Sequence, residues 1–147
     1  MILVDIDGTI SPTRPEEDGI LEDLLPVEER RAGGFQIIIP EYILDFLRTA
    51  PNLYMLSTWG EMAKDVPEEF GFKAEVLNMN DYTDASGIEG KWDVVSHFDD
   101  AVEAWLDDHI SPRMRDAARM RGIHVFVPPK RACLTRGQIA DLKSIFC

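Results

Sequence analysis

Five short apolar runs, Ile2–Val4, Leu53–Leu56, Ala74–Leu77, Val102–Leu106 and Ile123–Val127, alternate along this chain with five segments of helical period. Ile2–Val4 and Leu53–Leu56 are continuous and suit strands buried on both faces, the other three runs are each interrupted by one polar residue, and strands separated by helices pair in parallel through right-handed crossovers. The helical segments are Pro40–Ala50, one starting at Glu61 that Pro67 is expected to stop, Lys91–Phe98, Pro112–Arg121 and Thr135–Phe146. The alternation predicts an α/β fold, a Rossmann-like three-layer sandwich around a mainly parallel central sheet. In such sheets ligands bind beyond the carboxyl ends of the strands. The residues that directly follow the apolar runs are therefore the candidates for chemistry.

At 147 residues the chain reads as one domain spanning 1–147. Its composition, 45% hydrophobic and 29% charged, is that of an ordinary globular protein. No apolar run approaches the roughly 18 residues of a membrane span, and Asp5 interrupts any leader-like core. A cytoplasmic protein with no membrane partner is expected, and its oligomeric state is unknown at this level. Cys133 and Cys147 lack metal-ligand spacing and are too few for a disulfide framework, so they read as structural or incidental.

A net charge of −12 argues against general affinity for nucleic acid, which is driven by cationic side chains. The charge is unevenly spread: Arg113–Arg136 carries +6 and the remainder −18. That segment reads either as a solvated face or as a local cationic surface able to guide a polyanion.

Between the first strand and Pro40 lies a stretch, 11–39, read as a flap insertion, polar over Ser11–Gly34 and apolar over Phe35–Ile39. Its Ser11–Gly34 part contains Pro12, Pro15, Pro26, Gly33 and Gly34, is rich in acid, and shows little periodicity. Loops this long inside compact domains are usually functional. It is too short for a helical cap domain, so no large cap is expected.

The first apolar run delivers Asp5 and Asp7 into a turn at Gly8. Residues two apart on a strand project to one side, so the two carboxylates can converge on one point. Like charges so close need a cation between them, and hard oxygen ligands suit Mg²⁺. Taken alone, Asp-Ile-Asp-Gly is equally a polar turn. Two further strand ends change the balance: Leu53–Leu56 ends in Ser57 and Thr58, and Val102–Leu106 in Asp107 and Asp108.

This order of motifs, Asp5-Ile6-Asp7-Gly8-Thr9, Leu56-Ser57-Thr58, Lys91-Trp92-Asp93 and Trp105-Leu106-Asp107-Asp108, resembles the haloacid dehalogenase (HAD) superfamily of phosphoryl-transfer enzymes. The likeness covers nearly the whole chain. At a second level it is similar to small capless domains of actinobacteria and their phages, and to the HAD domain of multi-domain RNA-repair proteins. The resemblance implies a Mg²⁺-dependent phosphatase that works through an aspartyl-phosphate, with Asp5 as nucleophile and Asp7 as general acid and then base. It further implies that Asp5, the main-chain carbonyl of Asp7 and the Asp107–Asp108 pair hold the metal, and that Thr9, Ser57 or Thr58, and Lys91 meet the substrate phosphate. Asp107 is expected as the direct ligand with Asp108 in support, and both stay open. Capless members act on bulky phosphates, which makes a nucleotide or nucleic-acid end the implied substrate.

Several residues have rivals. Ser57 competes with Thr58 and directly follows the apolar run; Lys91 competes with Lys64 and Lys73 and is expected at a helix start. Asp99 and Asp100 precede a strand and are expected to terminate the preceding helix. Trp59, Trp92 and Trp105 read as core or wall residues, and His97, His109 and His124 show no ligand spacing. Two other functions stay open: a non-catalytic phosphate- or Mg²⁺-binding module, and a receiver-like phosphoacceptor whose aspartyl-phosphate is long-lived.

Overall fold

The computed structural model describes residues 1–17 and 19–147, so Asp18 of the expected flap lies outside the description. In chain order the elements are β1 (Ile2–Val4), α1 (Ile20–Leu24), β2 (Val27–Ala32), β3 (Phe35–Pro40), α2 (Glu41–Thr49), β4 (Leu53–Met55), α3 (Asp65–Phe70), β5 (Glu75–Val76), α4 (Gly87–Phe98), β6 (Ala104–Leu106), α5 (Pro112–Met120), β7 (His124–Phe126) and α6 (Arg136–Phe146). Five strands form one parallel sheet in the order β5-β4-β1-β6-β7, while β2 and β3 pair as a separate antiparallel hairpin.

Alternation along β1 shows why three layers form. Ile2 and Val4 face a cluster that includes Ile43, Leu44, Phe46 and Leu47 of α2, Val66 and Phe70 of α3, and Ile139 and Leu142 of α6. Leu3 points to the other face, against Val94 and Val95 of α4 and Ala118 of α5. The strands are only a few residues long, yet each side chain of β1 and β6 is buried, as a doubly covered parallel sheet requires. The expected α/β sandwich without a large cap is the observed architecture. No helix of the described residues is long and apolar enough to cross a membrane.

The topology positions the site. From β1 the chain moves outward to β4 and β5, then returns across β1 to β6 and continues to β7. The direction of winding therefore reverses between β1 and β6, the place where such sheets open a crevice at the strands' carboxyl ends.

Three expectations are corrected. The flap is not featureless: 27–40 forms a two-stranded hairpin closed by Gly33 and Gly34, both with positive φ (57° and 81°), preceded by the short α1. Two successive positive φ values make the hairpin turn that matches strand twist, and Gly-Gly adopts it without steric cost. Pro67 does not stop the second helix. A 3₁₀ turn over Gly60–Lys64 runs into α3, where Pro67 occupies the first turn and its missing N–H forfeits no helical bond. Helix α4 begins at Gly87, so Lys91 lies in its second turn instead of at its start.

Candidate metal and phosphate site

Asp5 follows β1 and Asp107 follows β6, whose last paired residues, Val4 and Leu106, are partners in the sheet. The amide of Asp5 donates to the Leu106 carbonyl at 3.0 Å, extending the pairing to the point where the strands part. The carboxylates of Asp5, Asp107 and Asp108 offer oxygens that all lie within 4.8 Å of one another. Lys91 reaches this group from α4, its Nζ 2.6 Å from Asp107 Oδ2 and 3.2 Å from Asp5 Oδ1. Lys64 and Lys73 are both exposed and line a separate surface hollow.

Three carboxylates around one ammonium leave a buried excess of negative charge. Burial, reinforced by Asp107, pushes the Asp5 carboxyl up to about 8 against the opposing pull of Lys91. Asp108 is likewise raised, first by burial and then by Asp107, with the neighbouring His109 opposing. For Lys91, burial acts to lower the value, but Asp5 and Asp107 outweigh it and hold the ammonium above the ordinary lysine value. One cation is thus firmly held and does not suffice.

The two acids that end β6 have different surroundings. Asp107 is fully committed to the protein: Oδ2 accepts from Lys91 and Oδ1 from the His109 amide at 2.9 Å. Asp108 presents a buried Oδ1 that accepts no hydrogen bond from the protein, an oxygen open to a proton or a cation. A hard-oxygen donor set with one orphaned carboxylate oxygen and uncompensated negative charge fits a small divalent cation such as Mg²⁺. Gly8 makes the arrangement possible. Its φ is +75°, and a Cβ there would overlap the Asp108 carboxylate.

The remaining predicted residues divide by position. Ser57 follows β4, on the other side of β1 from β6, and is 2% exposed; its Oγ accepts from the Trp59 amide at 3.1 Å, which leaves its hydroxyl hydrogen free to donate. Thr58 is exposed. Thr9 is fully buried with an unpartnered Oγ1, and its carbonyl accepts from the Leu134 amide at 2.8 Å. Asp7 does not join the carboxylate cluster. Its side chain is exposed at the rim, where Oδ2 accepts from the Trp59 indole at 2.9 Å.

In the sequence Trp59 reads as a core or wall residue. It is also the polar partner of Asp7, and its ring packs on the hairpin turn, where a Cβ at Gly33 would approach within 2.7 Å. Its place directly after Ser57-Thr58 was the available signal. Asp99 and Asp100 end α4 as expected, with Asp99 paired to Arg121 at 3.6 Å. The basic segment is partly consumed by the fold: Arg121 also lies over Trp92, Arg136 over Tyr42, and Arg131 pairs with Glu17.

No family model, curated protein or solved structure matches the chain. The chemistry is therefore read from the site itself.

Proposed function

We propose that this chain is a Mg²⁺-dependent phosphatase of the HAD type, transferring a phosphoryl group from a monoester to Asp5 and then to water. The observation that carries the reading is the convergence of Asp5, Asp107, Asp108 and Lys91 at the switch point of the sheet. Asp5 and Asp108 would hold the ion through their side chains and Asp7 through its main-chain carbonyl. Asp107, with both oxygens already engaged, would anchor Lys91 and adjust the site's charge. When bound, Mg²⁺ offsets the repulsion between an anionic nucleophile and an anionic substrate.

The protein groups supply the rest. A carboxylate oxygen of Asp5 attacks phosphorus while the bond to the leaving oxygen breaks, and that oxygen takes the electron pair together with the proton of Asp7. Asp7, now ionised, accepts a proton from water as the water oxygen attacks phosphorus. The electron pair of the Asp5–phosphorus bond returns to Asp5, and inorganic phosphate leaves. Ser57 and Lys91 neutralise and orient the phosphoryl oxygens, because this reaction is mainly positioning and charge compensation. The absence of a large cap leaves the site open to a bulky substrate such as a nucleotide or a nucleic-acid end.

Hydrolysis of p-nitrophenyl phosphate tests this directly. Activity should require Mg²⁺, vanish with EDTA, and fall by about three orders of magnitude or more in Asp5→Asn. Activity that survives that substitution, or a phosphoprotein that accumulates without turnover, contradicts the proposal.

A further inference from the structure

Between the β2–β3 hairpin and the turn after β1, and reached by Asp7, lies a cleft of about 380 Å³. Asp7 contributes to one wall, together with Ser11, Pro12 and Thr13, and Phe35 and Trp59 form an aromatic corner opposite the loop. The two rings are 5.5 Å apart at their centroids and inclined by 52°, and Phe35 is 60% exposed. The volume is in the range of small-molecule sites.

Charge limits what can enter. Among the described residues lining the cleft, Asp7 is the only charged one. The arginines on the segments that form it have partners outside the lining: Arg14 pairs with Glu17, Arg30 with Glu28, and Arg31 with the Gly34 carbonyl. A polyanion would find no cationic side chain in the lining of the cleft. A planar, uncharged group would find aromatic faces and, in Gln36, a neutral amide.

We infer that this cleft is the leaving-group subsite, and that it selects phosphate monoesters of a single uncharged alcohol that carries an aromatic ring, a nucleoside or a phenol, with the ring held against Phe35 and Trp59. The inference rests on the phosphatase reading and narrows it, since it excludes a strand of nucleic acid as the preferred substrate. Trp59 has two tasks in it. Its ring forms the wall, and its indole N–H on Asp7 fixes the carboxyl beside the oxygen that departs; it is a positioning residue for the proton donor.

The test compares four esters with Mg²⁺: phenyl phosphate, adenosine 5′-monophosphate, glycerol 2-phosphate and a 5′-phosphorylated oligodeoxynucleotide. The aromatic esters should exceed glycerol 2-phosphate in kcat/KM by about ten-fold or more, the scale of stacking on aromatic side chains. Phe35→Ala should collapse that preference, mainly through KM of the aromatic esters. Trp59→Phe keeps a ring and removes the N–H, so it should lower kcat for glycerol 2-phosphate, whose poor leaving group needs a proton, far more than for p-nitrophenyl phosphate, whose leaving group does not. Whichever of phenyl phosphate and adenosine 5′-monophosphate is turned over better identifies the source of the aromatic group.

A second readout does not depend on turnover. Adenosine, the alcohol without its phosphate, titrated into the wild-type chain should quench tryptophan fluorescence, and the quench should be absent in Trp59→Phe; a quench of equal size in both contradicts a stacking role for Trp59. Equal kcat/KM for aromatic and aliphatic esters overturns the inference while leaving the phosphatase reading intact. So does an oligonucleotide preferred over the mononucleotide with steep salt dependence, which would mark phosphate-backbone contacts. No turnover of any ester ends the phosphatase reading and this inference with it.

Discussion

At Gly8 two demands meet: a backbone φ of +75° and a neighbouring carboxylate, that of Asp108, in the space where a side chain would begin. Gly8→Ala should therefore cost about 1–2 kcal/mol for the left-handed backbone alone. It should also weaken Mg²⁺ binding, since the Asp108 oxygen must move; denaturant unfolding and a Mg²⁺ titration report the two effects separately. Asp5 makes a second prediction through its titration. Its folded value, about 8, lies above the ordinary 3.8, so its contribution to stability is fully present below the unfolded value and is lost as pH rises toward 8. In EDTA the stability of the protein relative to Asp5→Asn should thus decline between about pH 4 and pH 8. Mg²⁺ should flatten the decline, and a difference that grows with pH over that window would show that Asp5 is not desolvated as described.

Among the elements, the central parallel strands were legible because burial on both faces leaves apolar runs such as Ile2–Val4, and the helices beside them because of their apolar period. The β2–β3 hairpin was not, since β2 carries Glu28, Glu29, Arg30 and Arg31 and half its surface faces water. Gly33-Gly34 and the apolar Phe35–Ile39 were its signals, but a pair of glycines is also found in ordinary loops and β2 has no apolar run to match that of β3. Pro67 misled because proline ends helices from within but is tolerated in a first turn. Helix α4 yields a paired prediction. Gly90 directly precedes Lys91, and a Cβ there would stand 2.6 Å from the Ala85 carbonyl, whereas one on Gly137 in α6 meets nothing closer than 3.8 Å. Gly90→Ala should destabilise by about 1–3 kcal/mol and reduce kcat by shifting Lys91. Gly137→Ala should be neutral or stabilising by up to about 1 kcal/mol, from helix propensity alone. Thermal unfolding of the two variants side by side checks the contrast.

Across the whole molecule, residues that follow β1 and β6 and one from α4, spread from Asp5 to Asp108, meet where the sheet reverses its winding between β1 and β6. That meeting was legible as a shared address, since each acid and hydroxyl directly follows an apolar run. The division of labour was not: which acid of Asp107 and Asp108 keeps a free oxygen depends on Lys91 and the His109 amide, whose positions no local pattern encodes. The role of Trp59 depends likewise on a hairpin that the sequence concealed. With the chain as a whole at −12, a small cation is the partner its charge favours. Calorimetric titration of Mg²⁺ into the wild-type chain, Asp5→Asn and Asp108→Asn tests the central claim. One ion should bind per wild-type chain, with binding lost or weakened at least about ten-fold in both variants; no saturable binding to the wild type, or equal binding in all three, would contradict it.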